Sequence, residues 1–215
     1  MYTEKELVDK LIDLSFAEDI GDGDHTTLCC IPEEARGKSR MIIKEEGILA
    51  GVKIAEEVFN RFDSTLKVEI LINDGTKVKP GDVAMVVEGS VRSLLQTERL
   101  MLNIVQRMSG IATITHKYME LLKGTKAKVL DTRKTTPGMR ILEKMAVKIG
   151  GGENHRIGLF DMILLKDNHI GAAGSVKKAI ELARSYAPFV RKIEVETENL
   201  DMVKEALEAR ADIIM

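Results

Sequence analysis

Apolar positions along the chain change period several times, and each change marks a step in the architecture. Near the N-terminus Leu7, Leu11 and Leu14 recur at helical spacing behind Thr3 and Glu6. Thr3 and Glu6 form a capping-box pattern, so an amphipathic helix is predicted there. A Gly/Asp-rich loop, Glu18 to Thr27, follows it. Met41 to Ile43 predicts a short strand, and Val52 to Phe62 returns to helical spacing. Leu66, Val68, Ile70 and Ile72 alternate with mostly polar partners, the period of a half-buried strand, which ends at Asn73, Asp74 and Gly75. Lys79, Pro80, Gly81 and Asp82 read as a turn before the strand Val83 to Val87. These elements make an α+β domain with a small antiparallel sheet. Ser90 caps a long helix whose apolar face includes Leu94, Leu95, Leu102, Val105 and Met108. Ser109 and Gly110 are expected to punctuate it, with a second helix running to about Leu122 and ending at Gly124.

Beyond Gly124 strands alternate with helices. Strands are predicted near 127–131, 162–166, 191–196 and 212–215, and helices near 139–149, 175–186 and 199–209. Strand spacings of about thirty residues match βα units of a parallel sheet, open or closed as a barrel. The expected fold class is therefore α/β: an α+β sandwich-like domain with its linking helix over 1–110, then a partial α/β barrel over 111–215. Ala211 to Met215 reads as the start of a buried strand, which needs partners on both sides. The sequence is accordingly expected to be truncated at its C-terminus, with about half of an eight-stranded barrel present.

Composition narrows the function classes. The chain has 215 residues, enough for one or two domains. Its 32 Lys and Arg against 34 Asp and Glu leave a net charge of −2, so no nucleic-acid partner is implied. No apolar run approaches a membrane span, and the charged start MYTEKELVDK lacks a signal-peptide pattern. Cys29 and Cys30 are adjacent, a poor arrangement for a structural bridge, and read as reduced thiols of a cytoplasmic protein.

Positive charge is instead local. Val129 and Leu130 lead into Asp131, Thr132, Arg133 and Lys134. The apolar run Met162 to Leu165 leads into Lys166, Asp167, Asn168 and His169. His155 and Arg156 follow the glycine run Gly150 to Gly152. Buried strands that release charged groups at their C-terminal ends are how parallel α/β enzymes build active sites. Mostly cationic groups there imply an anionic ligand, an Arg fork suiting a carboxylate and a Lys suiting phosphate oxygens. The glycine run either lets backbone approach an anion or is a linker. Glu194 and Glu196 share one side of a strand and face either a lumen or solvent. Spacing does not separate Arg99 from Arg107 on the long helix, where exposed charges are usually a solvated face.

The segments ERLMLNIVQRMSGIAT (Glu98 to Thr113), GTKAKVLDTRKTTPGMRILEKMAVKIGGGENHRIGLFDMILLKDNHI (Gly124 to Ile170) and IEVE (Ile193 to Glu196) together resemble the quinolinate phosphoribosyltransferase family. The resemblance runs from the EDIGDGDHTT loop to the last residue. It implies transfer of a phosphoribosyl group from phosphoribosyl pyrophosphate to quinolinate, with decarboxylation, in NAD biosynthesis. It also implies Mg2+ as helper ion, an open, incomplete α/β barrel, and a homodimer or larger assembly with shared active sites. By resemblance Arg99 reaches quinolinate across the dimer interface, and Arg133, His155 and Arg156 hold its carboxylates. Lys134 and Lys166 face developing negative charge between quinolinate and the donor, and Glu196 binds ribose hydroxyls. The family's next acidic residue and its 5′-phosphate loops are expected beyond Met215. Two alternatives remain at this point: a pyrophosphorylase-like protein associated with molybdenum transport, and a truncated non-catalytic paralogue.

Overall fold

The computed structural model describes residues 2–187 and 191–215. They form two compact units, Met1–His155 and Arg156–Met215.

In the first unit α1 (Glu4–Ile20) starts at the Thr3 capping box. Its buried residues are Val8 and Ile12, while Leu7 and Leu14 are 40% and 68% exposed, so the face read from Leu7, Leu11 and Leu14 is turned by one residue. Tertiary partners set that rotation. Phe16 meets Phe62 at 5.0 Å between ring centroids, and Asp13 accepts two bonds from Arg61. The expected loop Glu18 to Thr27 shrinks to residues 21–24, because α1 continues to Ile20 and α2 (His25–Cys30) begins under an Asp24 cap. Cys29 and Cys30 are free and exposed.

Then come β1 (Arg36–Ile42), β2 (Gly47–Ile48), α3 (Val52–Phe62), β3 (Lys67–Ile70), β4 (Lys77–Val78) and β5 (Val83–Ser90). The antiparallel sheet has the order β1-β5-β3, and β2 pairs with β4. α3 buries Val52, Ala55, Val58 and Phe59 on one stripe. A fully buried side chain of this kind is worth about 1.5–3 kcal/mol.

α4 (Val91–Leu121) starts at the Ser90 cap and runs without a break through Ser109 and Gly110, where two helices were expected. The small residues there serve docking. Ser109 Oγ accepts from Ala50 N–H at 2.9 Å and donates to Ala50 O at 3.1 Å, while Thr113 Oγ1 accepts from Ile48 N–H at 2.9 Å. A Cβ on Gly47 would lie 2.5 Å from Thr113 Oγ1, so the 47–51 segment reaches α4 only as glycine-containing backbone.

α5 (Arg140–Ile149) lies against α4. The expected strand 127–131 reduces to a single parallel bridge, Leu130 with Glu153. The partner segment offers one residue for pairing, and the chain turns away at Asp131. The glycine run before Glu153 packs against α4. A Cβ on Gly150 would lie 2.4 Å from Ala112 O and 2.8 Å from Thr115 Cβ, so close contact with α4 requires glycine there.

The second unit holds a parallel sheet of order β6-β7-β8, formed by β6 (Ile163–Leu165), β7 (Ile193–Val195) and β8 (Ile213–Ile214). α6 (Asp167–Ala173), which the sequence pattern missed, follows β6 directly; α7 (Val176–Tyr186) and α8 (Leu200–Glu208) complete the βα alternation. Leu165, Val176, Ile180, Ile193, Val195 and Ala206 belong to one buried cluster. Asp212 accepts bonds from Ile193 N–H and Arg184, both at 2.8 Å, pinning the N-terminal end of the sheet. The bond from Ile193 N–H and the Arg184 guanidinium hold its carboxyl below the ordinary value despite partial desolvation. Among the described residues no helix is long and apolar enough to cross a membrane.

Candidate active site

The first unit carries Arg133 and Lys134 on the loop between the Leu130 bridge and α5. Three neighbouring α5 side chains hold that loop. Arg140 Nε donates to Thr135 Oγ1 at 3.0 Å. Glu143 accepts from Thr136 N–H at 3.3 Å and from Arg107 at 2.7 and 3.0 Å. Burial pushes the Glu143 carboxyl up, but the Arg107 and Thr136 bonds outweigh it and leave it below its ordinary value. Lys144 forms a buried ion pair with Asp131, and its ammonium also donates to His155 O at 3.1 Å.

Asp131 Oδ1 accepts His155 N–H at 2.9 Å. With its amide oriented to match the surrounding acceptors, Asn154 donates to Asp131 Oδ2 at 2.8 Å and to Lys144 O at 2.9 Å. His155 is thus held by both its backbone groups. Within this frame the Arg133 Nε is buried without a hydrogen-bond partner among the described residues. A buried unsatisfied donor costs roughly 1–3 kcal/mol and marks a place where an acceptor is expected. Lys134 is exposed, and its backbone N–H bonds Thr132 Oγ1 at 3.0 Å.

α4 separates the two arginines that spacing left equivalent. Arg107 is committed to Glu143 and Thr136. Arg99 is exposed, bonded to no described residue, and lines an open groove of about 760 Å³ with Leu11, Ser15, Asn103 and Thr136.

In the second unit Arg156 is buried and donates to Met162 O at 3.3 Å. Asp161 closes the following loop by accepting Ile157 N–H at 2.7 Å and Gly158 N–H at 2.9 Å. Lys166 and Glu196 stand at the C-terminal ends of the adjacent strands β6 and β7, where Glu196 N–H bonds Leu165 O at 2.9 Å. Their side chains pair at 3.5 Å and are both nearly half exposed. Glu194, inside β7, is buried, whereas Glu196, just past its end, is nearly half exposed, so the two acids do not share an environment. His169, grouped with Lys166 in the sequence, accepts Lys166 N–H on Nδ1 at 3.0 Å and so caps α6.

Sequence reasoning missed Arg140, Glu143, Lys144 and Asn154. The available signal was a Glu-Lys pair set inside the apolar run of α5, where a solvated face has no place.

Known proteins are similar along the whole chain. Residues 24–109 match the family described as quinolinate phosphoribosyl transferase, N-terminal domain, and residues 111–215 match its C-terminal domain. A probable nicotinate-nucleotide pyrophosphorylase [carboxylating] from Synechocystis is 42% identical over 97% of this chain and 70% of its own length. The Bacillus subtilis protein of the same description is 44% identical over 96% of this chain and 71% of its own. Among solved structures, NadC from Streptococcus pyogenes aligns with a TM-score of 0.93 at 44% identity, covering 100% of this chain and 76% of that one.

Proposed function

The chain belongs to the quinolinate phosphoribosyltransferase family, and on that premise we propose how its residues carry the family's reaction. The protein is an enzyme of the transferase class. Its substrates are quinolinate and phosphoribosyl pyrophosphate, and its products are nicotinate mononucleotide, pyrophosphate and CO2 in NAD biosynthesis. The orphaned Arg133 Nε supports the site assignment best, because a carboxylate of quinolinate satisfies it. In this reading Arg133, His155 and Arg156 hold the two carboxylates. Lys134 and Lys166 face the negative charge that develops as pyrophosphate leaves C1 of the ribose. Glu196 accepts from ribose hydroxyls, and releasing it from Lys166 costs little because the pair is already wet. The quinolinate ring nitrogen attacks C1 as oxocarbenium character develops there. The pyridinium so formed then stabilises the carbanion left when the adjacent carboxylate departs as CO2, and that carbanion takes one proton from water to give nicotinate mononucleotide. Little proton chemistry is asked of the protein; orientation and fixed charge supply the rate.

Mg2+ belongs to this proposal as the ion that neutralises pyrophosphate oxygens. Such an ion is typically held by one or two carboxylates and substrate phosphates, so a pre-built cluster of protein ligands is not required, and the half-exposed Glu196 carboxylate is a suitable donor. The second unit's parallel sheet is read as part of an open α/β barrel, and the working assembly as a homodimer in the cytoplasm. Arg99 then acts on the partner's site, as suits an arginine bonded to none of the described residues of its own chain.

Calorimetry tests the carboxylate pocket. Quinolinate should bind, nicotinate with its single carboxylate should bind poorly, and Arg133→Ala should weaken quinolinate by roughly 2–5 kcal/mol. Equal affinity for the two ligands overturns the assignment. Mixing inactive Arg99→Ala with inactive Lys134→Ala protein should restore activity in mixed dimers, since one site then carries neither lesion. No recovery after confirmed subunit exchange removes Arg99 from the partner's site.

A further inference from the structure

Lys144 is 2% exposed, and its ammonium bonds the Asp131 carboxylate and the His155 carbonyl. Asp131 in turn accepts His155 N–H at 2.9 Å. One buried ion pair therefore grips both backbone groups of His155. The same pair stands two residues before Arg133. Below it the two segments are joined by the short ladder Glu153 N–H to Val129 O at 2.9 Å and Asp131 N–H to Glu153 O at 3.2 Å, and by an exposed Lys128–Glu153 ion pair. The backbone pairing ends there, yet Arg133 and His155, both read as carboxylate ligands, lie beyond its end.

An ion pair is a costly way to fill a core, and apolar side chains of similar volume often serve as well or better for stability. Apolar side chains have no means of holding a peptide N–H and C=O at once. The specific product of this pair is a fixed position for His155 relative to the Arg133 loop. Its outer neighbours point the same way, since Asn154 bonds Asp131 and Arg140 holds Thr135 on the far side of the loop.

We propose that Asp131 and Lys144 are positioning residues that set the separation of Arg133 and His155, and so select a ligand with two adjacent carboxylates. The proposal rests on the reading that Arg133 and His155 hold quinolinate. Neither Asp131 nor Lys144 is asked to touch the substrate. A ligand with one carboxylate needs one cation and tolerates a changed separation; a ligand with two does not.

That difference separates positioning from mere stability. A folding defect lowers the amount of competent protein for every ligand alike and leaves the ratio of affinities unchanged. A positioning defect lowers the ratio. Lys144→Met alone strands a buried carboxylate, so the test uses Asp131→Asn/Lys144→Met, which removes both charges at nearly constant volume and keeps an acceptor for His155 N–H. Circular dichroism and thermal melting establish that it is folded. Quinolinate and nicotinate are then titrated into the native protein and the variant by calorimetry, and turnover of quinolinate is measured.

The expected result is a fall in kcat/KM for quinolinate on the order of 100-fold, the scale for small misplacements of binding groups. The preference for quinolinate over nicotinate should collapse with it, while nicotinate affinity stays near that of the native protein. A folded double variant that keeps the native preference overturns the proposal. If the double variant does not fold, Asp131→Asn alone carries the same comparison: an unchanged preference overturns the proposal and a reduced one supports it. The native protein's own preference, read in the same titrations, tests the underlying dicarboxylate reading separately. A native protein indifferent to the second carboxylate removes that reading and this inference together.

Discussion

The Asp131–Lys144 pair and the Lys166–Glu196 pair are both lysine–carboxylate contacts beside proposed substrate ligands, and they are built in opposite ways. The first is buried, its side chains 3% and 8% exposed, and shares its atoms with the backbone of His155. The second lies at two strand ends, its side chains 46% and 45% exposed at 3.5 Å. Burial makes the first rigid, because breaking it leaves a buried charge without its counter-charge. Exposure makes the second easily replaced, because water compensates either partner. In the function proposed above, the buried pair of the first unit is assigned to geometry, and the exposed pair of the second unit to charge that substrate can redirect.

The largest expected effect that tests this contrast is on stability. Lys144→Met should lower the free energy of unfolding by about 3–5 kcal/mol, since it leaves Asp131 buried and unpaired. Urea denaturation should show this as a lower midpoint with an unchanged slope. A variant as stable as the native protein would place the buried pair in the same class as the exposed one.

A smaller loss is expected where the frame meets α4. Gly150→Ala would bring a Cβ within 2.4 Å of Ala112 O, against backbone that has little room to yield. Overpacking of this kind costs about 1–3 kcal/mol. Gly110→Ala is the control, because nothing lies within 4 Å of a Cβ there and the residue is inside a helix. It should stabilise by roughly 0.5–1 kcal/mol. Equal effects at the two positions would mean that the glycine run is not held against α4.

Lys166→Ala should change stability least, by about 1 kcal/mol or less, while turnover falls sharply. A melting temperature close to that of the native protein, measured on the same inactive sample, is the expected outcome. A large stability loss would show that the strand-end pair is structural after all.

The features read correctly from sequence are those whose causes lie within a few residues. Thr3 with Glu6, the Ser90 cap, the turn at residues 79–82 and the stripe of α3 all depend on neighbours one to seven positions away. The cationic clusters at 131–134 and 166–169 were legible because they end apolar runs, and 155–156 because it follows a glycine run. Several readings failed where a distant partner outweighed the local signal. Ser109 and Gly110 look like a helix end, yet Ala50 lies against Ser109 and the helix continues. Leu7 and Leu14 look like an inward face, yet Phe62 and Arg61 turn α1 toward Val8 and Ile12.

Family, reaction class and most of the candidate ligands follow from residue types in their order along the chain. That information is local and chemical, since an Arg-Lys pair or a His-Arg pair keeps its charge wherever it is placed. The fold had to supply three further things: which arginine of α4 bonds none of the described residues, why Gly150 must lack a side chain, and that Lys144 holds Asp131 and His155 together. Each depends on contacts between residues 11 or more apart in the chain or on the burial those contacts create. Burial sets what a charge costs and what it holds, and it exists only once the elements have met.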